Sequence, residues 1–340
     1  MRQVRIEEAI GLVLGHDLTR IVPGEFKGPA FKRGHIIRRE DLPKLLSMGK
    51  EHVFVMELGP GQLHEDDAVT RMASALCGPH TMPGAPAEGR VSIQATSDGL
   101  FKVDREAVHA INACGELSVA TLHSNVPVKQ GELLAGARVF PLVIQAEKVE
   151  AVEQLGRSAP VLQVLPYRHR QAYLIITGNE VLHGRIADGF GRVVVEKLAH
   201  FPCRIIGHTI VGDDREAICS SILAAYRDGA GLILVTGGMS VDPDDRTPGA
   251  ISATGAEVVI YGTPVLPGSM LMLAYLEDVP VVGLPGCVMY NPATVFDLIL
   301  PRLFTGERLT RGDFAQMAVG GLCAGCSECR YPNCRFGKCC

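Results

Sequence analysis

The residues with the clearest chemical potential lie in one loop, which follows a predicted buried strand at residues 231–236. Two glycines begin the loop, and the hydroxyl of Ser240 comes next. Three carboxylates then lie within four residues, at Asp242, Asp244 and Asp245. Oxygen ligands of this kind suit Mg²⁺, which is usually held through one or two carboxylates and the phosphates of a substrate. The loop therefore predicts a magnesium–phosphate site, and a solvated acidic loop is the alternative.

Four further turns contain residue types suited to an anion. The turn at 177–180 has a glycine that would let the backbone approach a phosphate, although an ordinary strand-to-helix turn explains it equally well. The turns at 267–269 and 283–286 are rigid and expose N–H groups that could cradle an anion. The turn at 211–214 is more typical of a helix N-cap. No G-x-G-x-x-G opens a helix and no G-K-[ST] occurs, which excludes dinucleotide-fingerprint and P-loop sites.

Predicted strands and helices alternate along the chain from residue 171 to 305, and these elements must position the loops. Short apolar runs rich in β-branched residues predict buried strands, and amphipathic runs with apolar residues on one side predict helices. This alternation predicts an α/β fold with a doubly wound, mostly parallel sheet, whose ligand site lies at the carboxyl ends of the strands. The predicted strands are 172–177, 203–211 and 231–236, and the predicted helices are 191–201 and 215–227.

Composition divides the rest of the chain. A smaller α+β region is expected at the N-terminus, with a helix at 39–48 and a strand at 52–56, and a Gly/Pro-rich passage at 77–89 follows it. A helix is also expected from residue 145 to 155. The expected segments are an N-terminal region at 1–58, a β-rich middle region at 59–155, the α/β domain at 168–310 and a cysteine-rich tail at 320–340.

Charge and hydropathy exclude two classes of partner. The 340 residues have a net charge of −4 and are 47% hydrophobic, so a large core is available and no overall basic field attracts nucleic acid or anionic lipid. No segment fits a secretory signal or a membrane span. We therefore expect a cytoplasmic protein without nucleic-acid or membrane partners.

The eleven cysteines are distributed unevenly, because six of them lie between residues 323 and 340. Without a secretory signal a metal site is expected in preference to a disulfide framework. A [4Fe–4S] cluster, Zn²⁺ and an unligated thiol tail are the alternatives, and Cys339 and Cys340 are spare. Elsewhere, Cys287 is more typical of a buried small residue than of a ligand. The predicted ligands are Cys323, Cys326, Cys329 and Cys334.

Taken together, the loops between residues 171 and 305 resemble the molybdopterin-binding domain of molybdenum-cofactor biosynthesis proteins. That family comprises molybdopterin adenylyltransferases and molybdopterin molybdenumtransferases, the molybdate insertases. The order and spacing of the motifs carry the resemblance. The segment from residue 31 to 55 looks like the one that precedes this domain in insertases. The matching motifs are 177–180, 186–188, 212–214, 236–240 with Asp245, 267–269 and 284–286.

The resemblance implies both a substrate and its binding residues. Asp188 and Asp245 would act in catalysis and hold Mg²⁺, and the substrate would be molybdopterin or its adenylylated form. Adenine nucleotide, molybdate or tungstate, a homo-oligomer and an acceptor molybdenum or tungsten enzyme are also implied. The implied substrate-binding residues are Thr177, Gly178, Asn179, Glu180, Gly237, Gly238, Ser240, Thr247, Pro267, Gly268, Ser269, Leu284, Pro285 and Gly286.

The motifs divide between the two branches of the family. The sequence Asp-Arg-Thr-Pro at 245–248 looks like the adenylyltransferase, whereas the turn at 284–286 followed by Asn291-Pro-Ala looks like the insertase. The extended N-terminal region favours transfer of molybdate or tungstate to the pterin. Adenylylation of molybdopterin, a non-catalytic carrier and a redox sensor remain the alternatives.

Overall fold

The computed structural model describes residues 1–22, 26–240, 242 and 245–338, and it divides the chain into two compact units. The first unit contains residues 1–97, 102–122 and 129–164. The second contains residues 98–101 and 123–128 together with the chain from residue 165 onward. The division into four segments stays a prediction. No helix among the described residues is long and apolar enough to cross a membrane.

The first unit begins with two small antiparallel strand pairs around one core. In chain order the elements are β1 (Arg2–Arg5), β2 (Leu18–Val22), β3 (Phe26–Phe31), α1 (Leu42–Ser47) and β4 (His52–Val55). Strand β1 pairs with β4, and β2 pairs with β3. The expected helix is confirmed as a single 3₁₀ turn at Arg39–Asp41 followed by α1, with Pro43 in the first turn of α1. Ile6, Leu14 and Leu45 are buried together between these elements.

The chain from residue 62 to 164 supplies the rest of the first unit, except that residues 98–101 and 123–128, which include β10 and the first three residues of β8, belong to the second unit. Its elements are β5 (Gln62–His64), α2 (Glu65–Leu76), β6 (Thr81–Pro83), β7 (Arg90–Ala95), β8 (Gly99–Val103), α3 (Arg105–Ala113), β9 (Leu117–Thr121), β10 (Val126–Val128), β11 (Leu133–Val139), β12 (Val143–Gln145), α4 (Ala146–Ser158) and β13 (Leu162–Leu165). This part of the first unit centres on a four-stranded antiparallel sheet, in the order β6-β7-β11-β9. Helix α2 packs against β11 and α4 and buries Ala68, Val69 and Met72. Helix α4 confirms the helix expected from residue 145.

The second unit is an α/β domain. Its elements are β14 (Arg170–Thr177), α5 (Asn179–Leu182), α6 (Phe190–Leu198), β15 (Cys203–Val211), α7 (Arg215–Arg227), β16 (Leu232–Thr236), α8 (Thr247–Ala253), β17 (Glu257–Tyr261), β18 (Met272–Leu276), β19 (Val279–Leu284), a 3₁₀ turn (Gly286–Met289), α9 (Val295–Thr305) and α10 (Arg311–Gln316). The strand order is β15-β14-β16-β19-β18-β17. The first four are parallel, and β18 is antiparallel to both of its neighbours. The α/β prediction is confirmed, and the antiparallel strands were not foreseen.

Helices cover both faces of this sheet, as the central strand β16 illustrates. Leu232 and Leu234 belong to the core shared with α6 and α9, whereas Ile233 and Val235 belong to the core shared with α7 and α8. Successive side chains of a strand point to opposite faces, so a strand buried on both sides must be apolar throughout. This requirement explains the uninterrupted apolar run that predicted the strand.

The carboxyl ends of the parallel strands lie side by side. In the register of the sheet, Thr236 is opposite Ile176 on β14 and opposite Leu284 on β19. The loops that follow these three strands therefore start at the same edge of the sheet. That edge is where a parallel sheet binds its ligands.

Candidate functional site

A cavity of about 500 Å³ lies at this edge of the sheet. Three turns that are far apart in the sequence form its walls: the loop after β16, the loop before β18 and the turn after β19. Its volume is in the usual range for a small-molecule site. The lining residues are Gly237, Gly238, Met239, Ser240, Asp245, Leu266, Pro267, Gly268, Ser269, Met270, Pro285, Gly286 and Cys287.

The first wall requires glycine at position 237. The φ angle of Gly237 is +87°, in the left-handed region that residues with a Cβ rarely adopt. A Cβ atom there would lie 2.6 Å from Oγ1 of Thr177 and 2.7 Å from its carbonyl oxygen. The backbone of the loop can therefore turn against the end of β14 only because residue 237 has no side chain.

Two threonines hold this loop in place. Oγ1 of Thr177 donates a hydrogen bond to the carbonyl of Thr236 at 2.9 Å, and Oγ1 of Thr247 donates one to the carbonyl of Gly237 at 2.9 Å. Both threonines are buried and neither lines the cavity. The structure places them behind the wall, where their hydroxyls position the loop, and the contact with substrate that the resemblance implies stays a prediction.

Asp245 lines the cavity and closes the acidic loop. Its Oδ2 accepts a hydrogen bond from the backbone N–H of Ser240 at 2.6 Å, and its own N–H donates to the carbonyl of Asp242 at 3.0 Å. The hydroxyl of Tyr261 donates to the carbonyls of Met239 and Ser240, at 3.2 Å each. Burial and the nearby Asp245 raise the pKa of Tyr261. Residues 241, 243 and 244, which include the predicted Asp244, lie outside the described residues.

Asp188 caps a helix in the structure, and its predicted roles in catalysis and Mg²⁺ binding stay predictions. Its Oδ1 accepts the N–H groups of Phe190 at 2.9 Å and of Gly191 at 3.0 Å, so its carboxylate caps the start of α6. Asp188 does not line the cavity. Among the described residues, no group of three or more His, Cys, Asp or Glu side chains could hold a metal ion. Within the described part of the chain, the cavity lining contains one carboxylate, that of Asp245. This lining therefore fits Mg²⁺ only if substrate phosphates supply further ligands to the ion.

The turn after β14 also lies beside the cavity instead of lining it. The N–H of Asn179 donates to Oδ2 of Asp213 at 3.0 Å, which ties this turn to the one after β15. Gly178 and Glu180 are likewise absent from the cavity lining. At the end of β15, Asp214 accepts the N–H of Ala217 at 2.8 Å, which confirms the N-cap predicted there.

The other two walls come from predicted turns. Pro267, Gly268 and Ser269 form one of them, and the carbonyl of Pro267 accepts the N–H of Val295 at the start of α9. Pro285 and Gly286 form the other, whereas Leu284 is fully buried in the core and does not reach the cavity.

Sequence reasoning missed the two methionines of the cavity, and it interpreted Cys287 as a buried small residue, whereas the structure leaves Cys287 half-buried at the cavity. Met239, Met270 and Cys287 all line it, and burial raises the pKa of the Cys287 thiol. Met239 and Met270 each directly adjoin a residue of a predicted turn, and this adjacency is the signal that could have identified them. For Tyr261 the sequence contains no such signal, because it reaches the loop from β17.

The predicted metal ligands of the tail are not gathered in the described residues. Cys323 and Cys334 are half-buried against the core of the second unit, whereas Cys326 and Cys329 are exposed. No three of the described cysteines form a metal-binding group, so the [4Fe–4S] or zinc site stays a prediction. Cys339 and Cys340 lie outside the described residues.

Two family models match this chain. Residues 173–305 match the model described as "Probable molybdopterin binding domain", and residues 3–57 match a "Domain of unknown function (DUF8806)". Among curated relatives, a "Putative competence-damage inducible protein" from Bacillus cereus is 34% identical over 95 residues, which is 28% of this chain and 23% of that protein. The chain therefore spans less than a quarter of the length of the relatives it matches.

Solved structures match part of this chain at low sequence identity. The molybdopterin biosynthesis enzyme MoaB from Thermus thermophilus is 21% identical with a TM-score of 0.33, and the match covers 41% of this chain and 98% of that one. The tungsten cofactor synthesizing protein MoaB from Pyrococcus furiosus is 19% identical with a TM-score of 0.32, over 40% of this chain and 92% of that one. CinA from Thermoplasma acidophilum is 17% identical with a TM-score of 0.35, over 39% of this chain and 98% of that one.

Proposed function

Because residues 173–305 belong to the molybdopterin-binding family, we propose that the cavity at the strand ends binds molybdopterin or its adenylylated form. The reaction that we propose is transfer of molybdate or tungstate to the bound pterin, with release of the adenylyl group and with Mg²⁺ as the cofactor. On the resemblance alone we extend the proposal to a homo-oligomer that serves a molybdenum or tungsten enzyme.

The observation that carries this proposal is the composition of the cavity walls. Its turns contain the small residues 237–238, 267–269 and 285–286, which leave backbone groups free of bulky side chains beside the space. Such turns suit a ligand that carries phosphate, because exposed N–H groups and a small side chain allow close approach of the anion. The methionine side chains supply apolar and polarizable surface for a flat, sulfur-containing ligand.

Asp245 is the residue that we assign to the reacting centre. The hydrogen bond from the N–H of Ser240 fixes its carboxylate against the cavity. When bound there, Mg²⁺ would neutralise phosphate charge and polarise the bond to be cleaved. The protein's own contribution is to hold the phosphate end between the loop of Asp245 and the turn of Ser269, so that catalysis depends mainly on positioning.

Adenylylation of molybdopterin is the second candidate. One observation favours it: Thr247, in the sequence shared with that branch, holds the carbonyl of Gly237 and so shapes the cavity wall. The same wall would then align the terminal phosphate of molybdopterin with the α-phosphorus of ATP. A pterin carrier without turnover is the remaining alternative.

Two anaerobic reactions with the full chain distinguish these candidates. One contains molybdopterin and Mg-ATP, and the other contains adenylylated molybdopterin, molybdate and Mg²⁺. AMP release in the second reaction alone is the result that we expect. New adenylylated pterin in the first would assign the chain to adenylylation instead. Tight pterin binding without turnover in either reaction would make it a carrier, and absence of pterin binding would overturn the proposal.

A further inference from the structure

The cysteine-rich tail folds back on itself to form a closed loop, which we call the tail loop (residues 320–337). Its two ends meet where the N–H of Gly337 donates to the carbonyl of Gly320 at 3.0 Å. Closure of this kind reduces the number of conformations available to the residues in between. All four predicted ligands lie between the two ends.

Two aromatic side chains attach the tail loop to the α/β domain. Phe336 is only 4% exposed, and its ring centroid lies 6.3 Å from that of Tyr331. The hydroxyl of Tyr331 donates to the carbonyl of Asp297 in α9 at 2.9 Å. Cys334 lies between these two anchors in the sequence and packs against the same core. The second half of the loop is therefore fixed without any metal.

The four cysteines fall into two classes within this loop. Cys323 and Cys334 are half-buried and packed on the core, whereas Cys326 and Cys329 are exposed on the segment between them. Residues 324–330 form neither helix nor strand. Binding of one metal ion or cluster by all four cysteines would require this short segment to move the two exposed thiols towards Cys323 and Cys334. Metal ligation commonly supplies the free energy for such ordering.

The charges of the tail loop suit a thiolate centre. Four thiolates around Zn²⁺, or around a [4Fe–4S]²⁺ cluster, leave a net charge of −2 to be balanced. Arg330 and Arg335 lie within the loop and Lys338 follows directly, whereas Glu328 is the only acidic residue between 321 and 338.

The first cysteine is also hydrogen-bonded to the rim of the cavity. The N–H of Leu266 donates to the carbonyl of Gly321, and the N–H of Cys323 donates to the carbonyl of Leu266, both at 2.8 Å. Leu266 lines the cavity and directly precedes the turn at 267–269. Any ordering of Cys323 therefore acts directly on one wall of the cavity.

We propose that the four cysteines of the tail loop bind one metal centre through their thiolates, and that the loaded loop holds the cavity rim in place through Leu266. Tetrahedral zinc and an iron–sulfur cluster share this ligand chemistry. The proposed metal binding depends only on the residues of the tail loop. The proposed effect on pterin binding rests on the proposed function.

The first test is the metal content of the full chain purified without oxygen, and again after reconstitution with Zn²⁺ alone or with iron and sulfide. We expect about one zinc in a colourless protein, or about four irons in a brown one. Replacing both exposed ligands (C326S/C329S) should lower metal affinity at least tenfold. The matched control is C114S, which alters an exposed cysteine of the first unit. Equal metal content in all three proteins, or no metal in any, would overturn the site.

The second test is hydrogen exchange at the amides of Leu266 and Cys323, with and without the metal. Slower exchange in the loaded chain is expected, and identical exchange would overturn the coupling to the rim. Molybdopterin binding is measured on the same samples. A chain that binds metal and stiffens the rim but binds no molybdopterin would refute the proposed function alone, so the two failures are distinguishable.

Discussion

The carboxylate of Asp245 and the backbone N–H of Ser240 are joined by a hydrogen bond of 2.6 Å. This bond joins Ser240 and Asp245, at the two ends of the acidic loop after β16, and both residues line the cavity. A carboxylate that accepts a backbone N–H is held in one orientation, and its negative charge strengthens the bond. The same residue therefore shapes the site and supplies its charge.

Replacing Asp245 with Asn separates these two roles. The amide oxygen can still accept the N–H of Ser240, whereas the negative charge that would hold Mg²⁺ is lost. We expect turnover to fall at least about 100-fold, with pterin affinity changed only a few-fold. Steady-state rates and equilibrium binding are measured side by side. Asp278→Asn, at an exposed carboxylate that does not line the cavity, is the control. Unchanged turnover in D245N would remove Asp245 from the reaction.

Replacing Gly237 with Ala tests the close contact between the loop and Thr177. The added Cβ meets both strained backbone geometry and the atoms of Thr177, so we expect a loss of about 3 kcal/mol in the free energy of unfolding, together with weaker pterin binding. Urea unfolding and binding titrations provide the two values.

Gly255→Ala is the matched control for that substitution. The φ angle of Gly255 is +82°, but no atom lies within 4 Å of the Cβ that would be added. The Gly255→Ala variant therefore has the backbone strain without the steric clash. We expect its free energy of unfolding to fall by about 1 kcal/mol and its pterin binding to stay normal. Equal losses in the two variants would contradict the role of the contact with Thr177.

Local sequence was sufficient to predict the parallel part of the sheet and the turns that follow it. The apolar run ending at Thr236 has the pattern of a strand buried on both faces, and the glycines after it indicate the close approach that the structure contains. Strands β17 to β19 were not foreseen, because β18 and β19 fall in one apolar stretch in which the intervening turn has a weak signal.

The roles of individual side chains were harder to predict, because a hydroxyl or carboxylate can serve either a ligand or the backbone. Thr247 and Asp188 have the residue types of a binding site, yet their oxygens are engaged with the carbonyl of Gly237 and with the first N–H groups of α6. Which alternative holds depends on the three-dimensional position of the partner. Sequence spacing does not determine that position.

In the first unit, Glu65 is a carboxylate that is only 8% exposed, at the start of α2. Burial, with a contribution from Asp66, raises its pKa from the usual 4.5 to about 7. The folded state therefore binds more protons than the unfolded state between these two values, and stability falls as the pH rises through them. The loss should reach about 3 kcal/mol by pH 8.

Replacing Glu65 with Gln should remove this pH dependence. We expect the variant to have a higher free energy of unfolding than the native chain at pH 8, and the difference between the two to become small at pH 5. Urea unfolding at both pH values measures this difference. Glu106→Gln, at an exposed position of α3, serves as the control. A variant with the same pH slope as the native chain would show that Glu65 is not the titrating group.

The opposite sign is expected for Asp313 in the second unit. Burial alone would raise its pKa, but hydrogen bonds from Thr310 and from the buried Arg302, which lies 2.6 Å away, outweigh that effect and lower the pKa from 3.8 to about 2. Because the folded-state value is the lower one, the carboxylate stabilises the fold above pH 4. This contribution is lost as the pH falls through about 2.

Asp313→Asn should accordingly lower the free energy of unfolding by about 2 kcal/mol at pH 7. The difference from the native chain should shrink as the pH is lowered from 4 towards 2, since protonation then removes the same charge from the native side chain. Thermal unfolding across that range provides the measurement, with Asp278→Asn again as the exposed reference. A difference that stays constant down to pH 2 would mean that packing of the Asp313 side chain, and not its ion pair with Arg302, stabilises the start of α10.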